Sequence, residues 1–350
     1  MNQNPWDLGD PPGVHKVAGW TLWRWVVVTG LAILLTIGAF LIPLPFYFAY
    51  LPGPVRDVET LVEISNAPTY SSEGKLLLTT VSVDTEVTLA EMIASQFDAD
   101  KEVVPRNAVT GGGSLDDLRR QQAQEMSDSK LQAEIVALRA LGLGGPSGEG
   151  ARVTATVPGS PAADALEPGD VIVAISDRPV RTTCDVSSLL DDHDVGEKVE
   201  LTVRRDGELR NFDLRLVQDP RAAPGTPVIG VYIRTLNEDF QSDIRVQIET
   251  GRIAGPSAGL MISLAVYDQL TPDDLTHGRS IAGTGEIECD GQVIPIGGVA
   301  QKVAGAERAG ATIFLAPTAN VEAARRAADE ILVVSIATFE DALSFLEELD

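Results

Sequence analysis

Basic residues are scarce in this chain of 350 residues: 27 lysines and arginines face 51 aspartates and glutamates, for a formal charge of −24. No basic cluster stands ready to neutralise several phosphates at once, so nucleic acid is not an expected partner. Cysteine is scarcer still, with only Cys184 and Cys289, 105 positions apart. Two residues at that separation make neither a disulfide framework nor a zinc knuckle, and both are expected to be small buried apolar side chains. With three histidines, no His-Glu-x-x-His and no acidic cluster, no metal site or cofactor is expected. The Gly-x-x-x-x-Gly-Lys-Ser/Thr loop that cradles nucleotide phosphates is also missing. Gly111-Gly112-Gly113-Ser114 has no strand leading into it and reads as a flexible break. There is no internal repeat. The length exceeds one ordinary hydrophobic core and implies two or more domains.

What the chain has in abundance begins near the N-terminus. Trp25 to Val55 carries no charge, and VVVTGLAILLTIGAFLI from Val26 continues as PLPFYFAY up to Tyr50. A helix over 26–50 would cross the ~30 Å of bilayer hydrocarbon. Trp20, Trp23 and Trp25 crowd one end, and Phe46, Tyr47, Phe48 and Tyr50 the other, as interfacial aromatic belts do. A cleaved signal peptide competes with this reading, but the run is too long for its apolar region and no small-x-small site follows cleanly. Lys16 and Arg24 precede the span and Arg56 follows it. The expectation is a single-pass anchor in the cell membrane, with 1–25 cytoplasmic and the remainder extracytoplasmic.

Residues 55–131 read as a β-rich connecting region with a helical segment, since LVEI and KLLLTTVSV are separated by turn residues. Leu115 to Leu141 has Met126, Leu131, Ile135, Leu138 and Leu141 at helical spacing, and Gly142, Gly144, Gly145 and Pro146 stop it. From Gly150 the pattern turns to strands. Val157-Pro158-Gly159-Ser160-Pro161-Ala162, then Leu166-Glu167-Pro168-Gly169-Asp170-Val171-Ile172, a helix over Asp185–Leu190 and a strand over Glu200–Arg204 together resemble a PDZ domain over 132–218. The resemblance implies a sheet edge to which an extended peptide adds as a strand, and so a reader of substrate or partner peptides. A spacer with an idle groove is the plain alternative.

After the joint Asp219–Gly225 the chain is α/β again. In Gly255-Pro256-Ser257-Ala258-Gly259, Pro256 and Ser257 are expected to open a helix whose Leu260, Met261, Leu264 and Ala265 share the serine's face. A helix N-terminus favours developing negative charge, which suits a nucleophile and its oxyanion. Serine is equally a common N-cap, and this segment alone leaves both readings open. Eight basic residues follow Gly225; seven are arginine, which stays protonated, and the other is Lys302. Val299, Val303 and Ala306 form an apolar stripe, and Lys302 lies on or beside it. A lysine buried there can lose roughly three units of pKa and act as a general base; a snorkelling lysine is the alternative.

Ser257 and its neighbours, followed by Thr284-Gly285-Glu286-Ile287, Asp290-Gly291-Gln292-Val293-Ile294-Pro295-Ile296-Gly297-Gly298 and Lys302, resemble the proteolytic domain of the Lon family over 226–350. With the span and the PDZ-like module, the chain is similar to membrane-anchored, PDZ-containing Lon-like proteases of bacteria. The expected fold class is α+β multidomain: a transmembrane helix, a PDZ-like β-rich domain and a Lon-type α/β proteolytic domain. The resemblance implies an ATP-independent serine endopeptidase with Ser257 as nucleophile and Lys302 as general base. It gives Thr284, Ala258 and Gly255 supporting roles, Thr284 as the lysine's hydrogen-bond partner. It also implies protein or peptide substrates and a hexameric ring. Two departures stand out: Ala254 occupies the place of an acid found in most full Lon proteases, and the loop from Gly251 is shorter. Asp290-Gly291 fits a tight hairpin, and Glu286 reads as structural rather than catalytic.

Two rivals keep their place. A Ser-His-Asp hydrolase would need His277, the only histidine of the C-terminal domain, which sits in a polar loop. A catalytically silent, membrane-tethered PDZ adaptor would keep the C-terminal domain for assembly, with Ala254 as its best argument.

Overall fold

The computed structural model describes residues 18–98, 100–218, 225–237, 239–251 and 253–349, without the side chains of 18–22 and 239–241. Lys16, the side chain of Trp20 and most of the joint at 219–225 therefore lie outside the described residues. The apolar run folds as α1 (Ala18–Phe40), and its stretch Trp23–Phe40 has a mean hydropathy of 1.7 with none of it buried against the rest of the chain. The helix ends ten residues before the expected limit at Tyr50. Pro43 and Pro45 cannot continue its hydrogen bonding. The aromatic run that follows becomes β1 (Tyr47–Pro52), in which Phe48 is 2% exposed, a core side chain rather than part of an interfacial belt.

Next come β2 (Arg56–Asp57), β3 (Val62–Ser65), β4 (Lys75–Leu78), β5 (Val81–Asp84) and β6 (Glu102–Pro105). β1 lies between β5 and β6 in an antiparallel sheet. Leu76, Leu77 and Leu78 of β4 are all buried, the mark of a strand covered on both faces. The helix α2 (Leu115–Ala140) starts at Ser114, whose Oγ accepts the Asp117 N–H. Its inward face is Met126, Ala133, Val136 and Ala137, whereas Leu131 is exposed.

A separate core holds β7 (Ala151–Thr156), β8 (Val171–Ile175), α3 (Thr183–Asp191), β9 (Lys198–Arg205), β10 (Glu208–Arg215) and β11 (Val231–Thr235). The strand order is β10-β9-β8-β7-β11. The last strand thus arrives from beyond the joint and pairs antiparallel with β7, Val231 opposite Thr156.

The remainder contributes β12 (Arg245–Ile248), α4 (Gly259–Leu270), β13 (Ser280–Gly283), β14 (Glu286–Ile287), β15 (Val293–Ile294), α5 (Val299–Arg308), β16 (Ile313–Pro317), α6 (Val321–Ala327), β17 (Leu332–Ile336) and α7 (Phe339–Glu347). Its sheet runs β2-β4-β13-β16-β17, parallel from β4 onward. In α4, Leu260, Met261, Ile262 and Leu264 are each 0% exposed. Burial of such side chains is worth about 1.5–3 kcal/mol each.

Residues 55–131 are therefore no free-standing connector. β2 and β4 belong to the sheet of the C-terminal domain, β3 pairs with β12, and α2 packs on α4. Strand partners some 200 positions apart leave no local trace in sequence. The cysteines also depart from expectation: Cys184, in the first turn of α3, and Cys289, just after β14, are joined in a disulfide with their Cα atoms 5.4 Å apart. Separation along the chain argued against pairing, but folding brings α3 and the β14–β15 turn together.

Candidate active site

Ser257 lies in the turn before α4, whose N-cap is Ala258. Ser257 is thus not the N-cap, and its hydroxyl is free for other work. The turn is held from behind, for the Gly255 N–H donates to the Gln122 carbonyl at 2.9 Å and Ser129 Oγ to the Pro256 carbonyl at 2.8 Å. Gly255 has φ +86°, a left-handed conformation that a side chain would strain. Gln122 and Ser129 both come from α2. Neither carries a recognisable signal in the sequence, because a backbone acceptor and a buried hydroxyl on a helix belong to no motif.

Lys302 sits in the first turn of α5, which begins after Gly298 in a left-handed conformation. Val299, Val303 and Ala306 pack inward as their stripe implies, and Lys302 is 3% exposed. Its Nζ lies 2.7 Å from Ser257 Oγ and 2.8 Å from Thr284 Oγ1. Thr284, just beyond the end of β13 and fully buried, donates its own hydroxyl proton to the Ser257 carbonyl at 3.0 Å. That leaves its oxygen lone pairs to accept from the amine. The Gly285 N–H also donates to the Ser257 carbonyl at 3.0 Å, so the link between β13 and β14 braces the serine twice.

Burial alone lowers the Lys302 pKa from 10.5 to about 7. No carboxylate offsets the desolvation, so the amine is neutral for much of its population just above neutrality. Among the described residues the N–H groups of Ser257 and Ala258 meet no carbonyl, which leaves them free to face an oxyanion beside Ser257. Ala254 is exposed on the cleft rim and supplies no charge.

The dyad opens onto a cleft of about 900 Å³. One wall is Val81, Ser82 and Tyr50 from the N-terminal strands; another is Gln122 and Met126 of α2. Glu286 lines it too, its carboxyl pushed up first by burial and then by Glu125. Asp290-Gly291 forms the expected turn between β14 and β15, with Gly291 at φ +93°. His277 lies on an exposed turn outside this cleft, which removes the Ser-His-Asp reading. Among the described residues no group of three or more His, Cys, Asp and Glu could hold a metal ion.

Residues 232–342 match the Lon protease (S16) C-terminal proteolytic domain, and 121–216 match the PDZ domain. The Lon protease of Clostridium beijerinckii is 34% identical over 109 residues, covering 29% of this chain and 14% of that protein. Lon protease 2 of Thermus thermophilus is 44% identical over 82 residues, covering 23% of this chain and 10% of that protein. The chain thus spans only about a seventh of the first relative's length. A PDZ domain of an SdrC-like protein from Listeria monocytogenes aligns at 25% identity and a TM-score of 0.23, covering 24% of this chain and 87% of that domain. The chain therefore carries a Lon-type C-terminal proteolytic domain together with a PDZ domain.

Proposed function

We propose that this protein is a membrane-anchored serine endopeptidase that hydrolyses peptide bonds of unfolded or flexible proteins without ATP, its PDZ domain reading substrate or partner peptides. The observation that carries the reading is Lys302 Nζ at 2.7 Å from Ser257 Oγ, in a buried position that holds the amine near neutrality. Neutral Lys302 accepts the Ser257 hydroxyl proton as the oxygen attacks the scissile carbonyl. The oxyanion is held by the N–H groups of Ser257 and Ala258, and the lysinium then protonates the leaving amine. Thr284 keeps Nζ aimed at the serine throughout.

The test is hydrolysis of unfolded casein by the purified full chain in detergent with no nucleotide added. Wild type is expected to cleave and Ser257→Ala to be inert; identical behaviour of the two supports the adaptor reading instead. Thr284→Val removes the acceptor at 2.8 Å and is expected to lower kcat/KM by about 10- to 100-fold. The hydroxyl favours the ammonium over the amine, so its loss also moves the acid limb of the pH profile to lower pH. Thr284→Ser should restore both.

Retention of α1 as a single-pass anchor, with the N-terminus cytoplasmic and the catalytic part extracytoplasmic, is supported by the length and apolar composition of its uncovered stretch Trp23–Phe40. The Cys184–Cys289 disulfide fits an oxidising compartment. External protease is expected to remove a C-terminal tag from spheroplasts while leaving a cytoplasmic control intact; protection of the tag refutes this topology. A hexameric ring is the proposed assembly, checked by mass photometry of the detergent-solubilised chain.

A further inference from the structure

Beside the catalytic cleft lies a second cavity, of about 340 Å³, walled by both domains. Thr183 and Ser187 of α3 and Ile233 of β11 supply the PDZ side; Gln132 of α2 and Ile287 of β14 supply the protease side. Pro256 and Glu286 line both this cavity and the catalytic cleft, so the two spaces share a wall within one residue of Ser257. Cys289 lies on the rim, and its bond to Cys184 is the covalent link between the two sides. Gln292 Nε2 donating to Asp191 Oδ2 at 3.0 Å is a second tie between α3 and the β14–β15 turn.

The geometry points to a composite substrate subsite: an extended polypeptide whose scissile bond lies at Ser257 places a flanking segment between α3 and β14, and the Cys184–Cys289 disulfide keeps that subsite assembled. This rests on the peptidase reading above. Three features select a polypeptide as the occupant. The cavity shares Pro256 and Glu286 with the cleft that would hold the scissile bond. Its PDZ wall is formed by Thr183 and Ser187 of α3 and Ile233 of β11, and the Thr183 N–H donates to Thr235 Oγ1 at 3.1 Å, so polar groups face it from the helix end. The Gln132 Oε1 is buried without a hydrogen-bond partner on the opposite wall and offers an acceptor to a guest amide. Glu125 and Asp128 on the same side, with no lysine or arginine in the lining, suit a cationic side chain on the guest.

Without the disulfide, the Gln292–Asp191 hydrogen bond is left to hold the walls at a fixed distance. The full chain in detergent, as wild type and as Cys184→Ser/Cys289→Ser, is assayed on unfolded casein. The expected result is a KM raised about tenfold with kcat changed by less than twofold. A fall in kcat at unchanged KM identifies the disulfide as a brace for the catalytic strand only and overturns the proposal. Ser187→Trp fills the cavity with the disulfide intact and should raise KM similarly, which guards against misfolding of the serine variant. Binding of fluorescein-labelled unfolded casein to Ser257→Ala, read by anisotropy, separates this inference from the peptidase reading. If Ser187→Trp in that background leaves Kd unchanged, the subsite is refuted whether or not wild type cleaves; if wild type cleaves nothing, the peptidase reading fails while the binding result still decides the subsite.

Discussion

Lys302→Met is expected to abolish peptide hydrolysis, with a loss on the order of 10³–10⁴ in kcat/KM. Methionine has nearly the length of the lysine stem and fills the same buried space, so α5 and its stripe of Val299, Val303 and Ala306 keep their packing. What disappears is the base at 2.7 Å from Ser257 Oγ and the partner of Thr284. Ser257 then has to ionise unaided, and the leaving amine departs unprotonated. Steady-state kinetics on unfolded casein checks this, and residual activity within tenfold of wild type would exclude Lys302 as the base. In wild type, kcat/KM is expected to rise through about pH 7 as the lysine loses its proton. Arginine at the same place would not rescue, since it stays protonated across that range.

The same substitution is expected to make the protein more stable, by an amount that depends on pH. The Lys302 amine titrates near 10.5 in the unfolded chain and at about 7 in the fold. Between those values the unfolded state binds more protons, so stability rises with pH across that window and is at its lowest below about pH 7. The full span corresponds to about 5 kcal/mol, at about 1.4 kcal/mol per pKa unit. Lys302→Met lacks this penalty. Its gain over wild type should be largest near pH 6 and shrink steadily toward pH 10, as read by urea unfolding of both proteins. A gain that does not vary with pH would mean that the amine reaches water in the folded state.

The meeting of Ser257 and Lys302 was legible because two local signals coincide with a set of short motifs. Helical phase put Lys302 on a buried stripe, and Thr284-Gly285-Glu286 and Gly255-Pro256-Ser257 fell in an order that few folds share. Local phase misled at the serine itself, because α4 begins only at Gly259 and the motif that carries Ser257 is a turn. The PDZ pattern was legible for the same reason as the catalytic one: its Pro-Gly turns mark strand ends wherever they occur. Contacts that close over long stretches of chain were not. Nothing near Leu76 announces a parallel partner at Ile281, and nothing near Cys184 announces Cys289. The C-terminal limit of the apolar helix was missed because hydropathy alone cannot tell an aromatic strand from a helix, whereas Pro43 and Pro45 could have.

The pairing of β4 with β13 also sets an order of events during synthesis. Lys75 is made 205 residues before its register partner Ser280, and every residue of the PDZ domain is polymerised in between. Until the last third of the chain is available, β4 has no neighbour on that side and α2 has no α4 to cover. Ser257 and Lys302 cannot meet before then, because the platform that positions them is shared by the two ends of the chain. A nascent molecule is therefore without the Ser257–Lys302 pair while its own unfolded segments are most exposed, and gains it only as the final strands are laid down.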